Sequence, residues 1–422
     1  MKTMPTESYV AGLDVGTTRI RTVVAQPDLG GALRILGVGV VPADGLARGI
    51  VVDRTRAIAA ITESVHRAQR NASLDLGGAY VGVSGAHIAC RNVTGRVHVS
   101  SGEVTRTDIE KVIQSARDSV RTGPEQQIIH TLVRDFAVDG ERGIRHPEGM
   151  RGNRLDVEVH VITGVGSIIG NLEDSVLASG LRVLKHVLEP VATATAVITE
   201  AERDLGVILV DIGGGTTDLA VFSEGSICHT ASLPVAGNHV TRDLAQLLRI
   251  RPEDAETTKR RFGVALAELA TGEEMIPVRE IGTEQETRLS RRLLGEIIQP
   301  RMEEIFNLVK ENLLLAGFYE TIGGGVVLAG GGSQLVGAAR LASIVLDNLP
   351  VRVGAPRNLT GLGDSVDSPS YATAVGLAMM AARDQAWAAP SKPGPGAGPW
   401  EAAKSWWKQT ILPAVRRLTG SR

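Results

Sequence analysis

The chain has 422 residues, enough to bury a large core and to divide into two or more domains. Its 43% hydrophobic and 22% charged content is ordinary for a soluble globular protein, and a net charge of −2 implies no basic face for nucleic acid. Cys90 and Cys228 lack CxxC spacing and the nine histidines form no ligand cluster, so neither a disulfide framework nor a zinc site is supported. Both cysteines read as small core residues of a reducing cytoplasm. The N-terminus MKTMPTESYV has no apolar h-region and no stretch nears the ~18 apolar residues of a membrane span, which predicts a protein that stays inside the cell.

Residues 10–24, VAGLDVGTTRIRTVV, run from a strand through Asp14, Gly16, Thr17 and Thr18 into a second strand. Strands are expected at 10–15, 20–25 and 33–41, a helix near 53–70 and a strand at 79–83. In that helix Ile58, Ile61, Val65 and Ala68 recur at helical spacing. Residues 84–163 differ: short strands around 87–91 and 95–99, a helix over 107–121 capped from Thr105, Thr107 or Asp108, and extended stretches at 128–138 and 155–163. They read as a small mixed α/β module inserted into the first domain. Residues 164–205 return to that domain with a helix at 167–180, a strand at 182–188 and a helix opening on Glu189-Pro190, where proline loses no hydrogen bond. Glu189 either orders a water beside a terminal phosphate or is simply an acid favoured by the helix dipole.

Residues 207–221, VILVDIGGGTTDLAV, repeat the opening pattern: a strand into Asp211, then Gly213, Gly214, Gly215, Thr216, Thr217, a second acid (Asp218) and a strand. The glycines let backbone N–H groups approach a ligand and take positive φ, making an anion-binding nest to which the threonine hydroxyls add donors. Mg²⁺, which prefers carboxylate and water oxygens, would mediate between Asp14, Asp211 and a phosphate. A glycine-rich hairpin with a solvated acid would carry the same residues. Two such hairpins roughly 200 residues apart, however, suggest two related halves clamping one polyphosphate. Helices near 237–249 and 253–262 and a charged loop at 271–287 follow. Next comes an amphipathic segment over 289–315, with Leu293, Ile297, Ile305, Leu308, Val309 and Leu313 on one face and an interruption at Pro300. In residues 323–336, GGGVVLAGGGSQLV, a strand enters Gly330, Gly331, Gly332 and Ser333 ahead of a helix, leaving room for a base or ribose. A strand at 351–353 and a helix over 371–381 close the body. No G-x-x-x-x-G-K-[ST] occurs, so this is not a Walker A protein.

Residues 385–399 are expected to be a linker too rich in Pro and Gly to fold. Residues 400–418, WEAAKSWWKQTILPAVRRL, hold three of the four tryptophans, and Trp400, Ala403, Trp407, Ile411, Ala414 and Leu418 fall on one helical stripe. Lys404, Lys408, Arg416 and Arg417 flank that stripe or lie opposite, and 400–422 carry five Lys/Arg against one acid. This is the pattern of a helix lying in the plane of an anionic membrane, where each basic side chain adds about 1 kcal/mol. A helix docked on the body or on another protein is the alternative. Pro413 removes one helical hydrogen bond and kinks the last turns.

The three glycine motifs match the phosphate 1, phosphate 2 and adenosine motifs of the actin, sugar kinase and chaperone ATPase superfamily. LDVGTTRIR (13–21), VGVSGAHIAC (81–90), VEVHVITG (157–164), LVDIGGGTTDLAVF (209–222), LPVAGNHVTRDLA (233–245), EIIQPRMEEIFNLV (296–309), VVLAGGGSQL (326–335) and RVGAPRNLTGLGD (352–364) resemble the FtsA family of bacterial actin-like cell-division proteins. The resemblance implies an α/β, actin-like ATPase fold: two related halves around a nucleotide cleft, an inserted small α/β subdomain of SHS2 type and a C-terminal amphipathic helix. Its subdomains would be IA (9–83 plus 164–205), the insert IC (84–163), IIA (206–236 plus 301–384) and IIB (237–300). It implies bound ATP and Mg²⁺ with weak or no hydrolysis, and self-assembly into filaments on the cytoplasmic face of the membrane at the septum. Contacts with later divisome proteins are implied as well. FtsZ's C-terminal peptide would bind IIB, with Arg242, Lys259, Arg260 and Arg261 as basic partners. Arg291, Arg292 and Glu296 sit where superfamily members often contact adenosine, or on a solvated helix face. A PilM-like pilus assembly protein and a small-molecule kinase are the alternatives. The tail argues against both.

Overall fold

A three-stranded meander opens each half of the protein, and the glycine turn between its first two strands is what each half brings to the centre. The computed structural model describes residues 9–28, 32–281 and 286–387; the amphipathic stretch 400–418 and most of the expected linker lie outside them. The first half comprises β1 (Val10–Val15), β2 (Arg19–Pro27), β3 (Leu33–Pro42), the small hairpin β4 (Leu46–Ala47) and β5 (Ile50–Val51), α1 (Arg54–Ala72) and β6 (Gly78–Val83). The inserted module follows: β7 (Ala89–His98), α2 (Arg106–Asp118), β8 (Gln126–Val138), β9 (Glu141–Ile144) and β10 (Arg154–Val165). α3 (Gly166–Ala178), β11 (Arg182–Leu188), α4 (Glu189–Val197) and α5 (Glu200–Leu205) complete the first half.

The second half runs β12 (Val207–Ile212), β13 (Thr217–Ser223), β14 (Ser226–Leu233), α6 (Gly237–Leu247), α7 (Pro252–Phe262), β15 (Met275–Arg279), β16 (Glu286–Ser290) and α8 (Arg291–Ala316). It ends with β17 (Val326–Ala329), α9 (Ala338–Val345), β18 (Val351–Val353), β19 (Leu359–Gly361) and α10 (Ala372–Trp387). The two large sheets have the orders β11-β6-β1-β2-β3-β19 and β14-β13-β12-β17-β18. Apart from β19, which returns to pair with β3, they share one plan, an antiparallel meander extended by two parallel strands. β1 and β12 are buried along their whole length, as expected of central strands covered on both faces.

Helix caps account for several boundaries. Asp53 accepts the Arg56 N–H to start α1, and Thr105 and Asp108 form a reciprocal capping box on α2. α1 buries Ala57, Ile61, Ser64, Val65 and Ala68, so Ala57 rather than Ile58 begins the inner stripe. The expected pair of strands at 87–91 and 95–99 is one strand, β7. Gly95 continues it because a Cβ there would stand 2.2 Å from the Val112 carbonyl oxygen of α2; the glycine admits the helix rather than ending the strand.

In the second half the expected charged loop at 271–287 is largely taken up by the β15–β16 pair, which continues past it to Ser290. α8 runs unbroken through Pro300, which faces solvent, where water can satisfy the carbonyl that proline leaves free. The expected IIA/IIB boundary at 300/301 therefore falls inside a single helix. The buried face of α8 is Leu294, Ile298, Met302, Ile305, Phe306, Val309 and Leu313, while Leu293 is 42% exposed. α10 continues to Trp387, so the first three residues of the expected linker are helical.

One apolar cluster unites the halves, joining Val10, Val23 and Ala25 to Val207, Leu209, Ala220 and Val327 through α4 and α10. The small residues of EPVATATAV let α4 lie close against α10. At the crossing, a Cβ on Gly376 would stand 1.9 Å from the Ala192 carbonyl oxygen. The far end of α10 is fixed by Asp384, which accepts from the Tyr80 hydroxyl at 2.5 Å and from Lys185 Nζ at 3.0 Å. Gly376→Ala is expected to force the helices apart and cost roughly 1–3 kcal/mol. Urea unfolding should show this as a lower midpoint at unchanged slope.

Candidate functional site

Three turns meet between the halves around a cleft of about 550 Å³. Gly16, Thr17 and Thr18 come from the β1–β2 turn, Gly213, Gly214, Gly215 and Thr216 from the β12–β13 turn, and Gly330, Gly331 and Gly332 from the turn after β17. The glycines of the β12–β13 turn do not take positive φ, contrary to the sequence expectation. Close approach is what they allow: a Cβ on Gly214 would lie 1.9 Å from Thr18 Oγ1 of the opposite turn. Gly330 is the conformational glycine, with φ +77°, and a Cβ there would also strike Asp211 Oδ1 at 2.3 Å. Gly213 and Gly214 accept backbone N–H bonds from Gly237 and Asn238, which moor the start of α6 on the turn. Thr18 Oγ1 donates to Asn238 Oδ1 at 3.3 Å and bridges the halves.

Carboxyl groups line the floor. Asp14, Asp211 and Asp218 are at most 8% exposed, and Glu189, half-buried, opens α4 beside them. Asp14 Oδ2 accepts from Arg21 Nη1 at 3.3 Å, and Arg21 lies directly across the hairpin from it. Asp211 Oδ2 accepts from Thr193 at 2.7 Å and from Thr373 at 3.3 Å. Asp218 faces Asp211 across the β12–β13 ladder and accepts from Thr216 at 3.1 Å, but its Oδ1 is buried with no well-formed hydrogen bond among the described residues. Burial raises Asp14 to about 6, with the Asp211 charge adding and Arg21 opposing. Burial likewise lifts Asp218 to about 7, Asp211 adding. Glu189 is held well above the usual carboxylate range by burial and by the charges of Asp14, Asp218 and Asp211. The opposite wall is cationic, with Arg19 from the first half and Lys259, Arg260 and Arg261 from α7. Burial and the facing Arg260 both lower Arg19.

Not every expected site residue reaches the cleft. Thr217 donates to the Val235 carbonyl and Ser333 to that of Gly330, so both brace turns from behind. Arg291 is drawn off by Glu274 and the Phe262 carbonyl, and Arg292 and Glu296 pair on the outer surface of α8. Lys259 does not belong to an outer peptide surface. It is 9% exposed and its ammonium is taken by Glu256, the Thr241 hydroxyl and the Gly237 carbonyl. Arg260 and Arg261 are exposed but turn to the cleft, whereas Arg242 lies exposed on α6.

Among solved structures, the chain resembles one titled "PilM-PilN type IV pilus biogenesis complex" (TM-score 0.62, 18% identity, covering 89% of this chain and 99% of that one). It also resembles MreB5 of Spiroplasma citri bound to ADP (TM-score 0.51, 18% identity, 88% and 95%). Fold and cleft together define an actin-like protein. The family model described as Cell division protein FtsA matches residues 208–376, and that of the SHS2 domain inserted in FTSA matches 85–163. The chain is 40% identical over 385 residues to the FtsA of Pseudomonas aeruginosa (91% of this chain, 92% of that protein). It is 37% identical over 375 residues to that of Escherichia coli (87% and 89%) and 37% over 380 to that of Bacillus subtilis (90% and 84%). The chain belongs to the FtsA family of cell division proteins, and its role is an actin-like one in cell division. No helix among the described residues is long and apolar enough to cross a membrane.

The floor makes stability depend on pH. Asp218 titrates near 3.8 unfolded and about 7 folded, so the native state binds the extra proton between these values. Its contribution is full below about pH 4 and is lost as pH rises through about 7. Asp218→Asn should therefore gain roughly 1–3 kcal/mol on the wild type between about pH 4 and pH 8, read from paired urea titrations. A difference that stays flat with pH would contradict this.

Proposed function

We propose that the cleft binds ATP with Mg²⁺ and that nucleotide governs self-assembly of a protein that holds FtsZ to the cytoplasmic face of the membrane at the septum. The observation that carries the nucleotide reading is the charge pattern of the cleft: three glycine turns, an acidic floor and a basic wall. Polyphosphate carries negative charge past basic groups and backbone N–H groups, and a divalent cation relieves clustered carboxylates. Among the described residues no cluster of three or more His, Cys, Asp or Glu could hold a metal alone. That suits an ion that keeps several waters and shares its coordination with phosphate. Asp14 and Asp211 would hold it through water, with Asp218 Oδ1, which has no well-formed hydrogen bond among the described residues, a further acceptor. Mg²⁺ would supply charge neutralisation at the phosphates. Burial and the neighbouring carboxylates hold Glu189 above the usual carboxylate range, and a cation beside it would favour its ionised form and fit it to orient a water.

Membrane attachment rests on the tryptophan-rich basic stretch 400–418, and the FtsZ-peptide surface on the IIB subdomain with Arg242 as its exposed cation. Downstream divisome proteins and a second copy of the chain are the remaining partners. A PilM-like role is disfavoured by the tail, and a kinase role by the absence of any sugar-kinase signature in the sequence.

Asp211→Ala and Gly214→Asp should each weaken ATP binding by at least about tenfold in calorimetry, the second by filling the 1.9 Å approach to Thr18. Unaltered affinity would misplace the site. Deleting 400–422 should abolish sedimentation with anionic liposomes, and persistent co-sedimentation would remove the tether. Charge reversal at Arg242 should weaken binding of an FtsZ C-terminal peptide while leaving ATP affinity intact.

A further inference from the structure

The two repeated hairpins differ at one rung. In the β12–β13 ladder Asp211 stands opposite Asp218, acid against acid, whereas at the same place in the β1–β2 ladder Asp14 stands opposite Arg21. Residues directly opposite in an antiparallel pair share a face of the sheet, so the first half carries a cation where the second carries a further carboxyl. Arg21 lines the cleft with its side chain only 15% exposed, and its Nη1 donates to Asp14 Oδ2 at 3.3 Å. The guanidinium carbon lies 5.4 Å from the centre of the Tyr371 ring, a cation–π contact with the short turn that leads into α10. Nε is buried with no well-formed hydrogen bond among the described residues. The head is thus kept on the floor by charge and by a ring face rather than by a full set of acceptors.

Carboxylates beneath a polyphosphate are a like-charge contact, and offsetting that contact is a large part of what a divalent cation contributes in such a cleft. A fixed cation 3.3 Å from Asp14 does part of the same task with the chain's own atoms. Resting on the nucleotide reading of the cleft, we propose that Arg21 is a resident counter-cation of the site, which offsets Asp14 from within the first half and lessens the dependence of nucleotide binding on Mg²⁺. Burial raises Asp14 and Asp211, and the Arg21 charge opposes that rise at both. The need for a divalent ion is then concentrated on the second half, where Asp211 and Asp218 are met by threonine hydroxyls rather than by a cation. The repeat is therefore unequal in charge although it is alike in backbone, and the inequality sits at a single pair of facing positions.

The test is the affinity for ATP, measured by calorimetry on the full chain once in excess Mg²⁺ and once in EDTA. The readout is the ratio of the two affinities, which a mere brace for Asp14 would leave unmoved because its loss weakens both alike. The wild type is expected to lose less than about tenfold on chelation. Arg21→Gln should lose at least about tenfold more than the wild type, the worth of one hydrogen-bonded charge contact. Arg21→Lys, which keeps the charge, should stay near the wild-type ratio. An unchanged ratio in Arg21→Gln overturns the proposal and leaves the nucleotide reading standing. A wild type that loses more than about tenfold overturns it without any variant. Failure of the wild type to bind ATP in Mg²⁺ removes the nucleotide reading and the proposal with it.

Discussion

Asp14, Asp211 and Asp218 are 5%, 8% and 3% exposed at the floor of a cleft that faces a wall of arginine and lysine. Ionised carboxylates in such a place are expensive, and they respond by holding their protons. Thr193, Thr373 and Arg21 offset part of that cost, but Asp218 keeps an oxygen without a well-formed bond. The opposite wall is strained in the other sense, because Arg19 of one half confronts Arg260 of the other. Each half thus holds charge that a ligand of the complementary sign would relieve.

The repeated sheet plan explains how one chain builds such a place. Each meander delivers an acid at the end of a central strand and a glycine turn just beyond it. Two copies set face to face bring Asp14 and Asp211 together and press Thr18 against Gly214. The seam then needs helices thin enough to pass, which is the physical meaning of alanine, threonine and glycine along α4 and α10. The insert leaves the first half between β6 and α3 yet makes its polar contacts with β14, the third strand of the second meander. It is covalently part of one half and hydrogen-bonded to the other.

Much of this was legible in the sequence because it rests on local rules. Asp–x–Gly–Thr hairpins, the cap at Thr105 and the Pro190 helix start are read within a few residues. What escaped depends on what lies across from a residue. The gap expected between 91 and 95 does not interrupt β7, and the role of Gly95 stayed hidden because its partner helix was out of sight; Pro300 looked like an interruption because its exposed face was unknown. On α8 Ile305, Val309 and Leu313 face inward as expected, but near its start Leu293 and Ile297 were taken for Leu294 and Ile298, since many of its residues are apolar and periodicity alone could not choose among them. Lys259 and Arg260 resembled a surface patch because charge spacing on α7 does not say which face is cleft. Arg21 could have been found, since a hairpin turn of that length sets it opposite Asp14 and an opposite-charge pair follows.

The end of α10 has a mechanical sense. Asp384 is bolted to Tyr80 and Lys185 on the first sheet, and earlier in the same helix Gly376 is wedged against Ala192 at the seam. Traction applied to the chain beyond Trp387 would be taken up as shear along α10, the helix that carries both contacts.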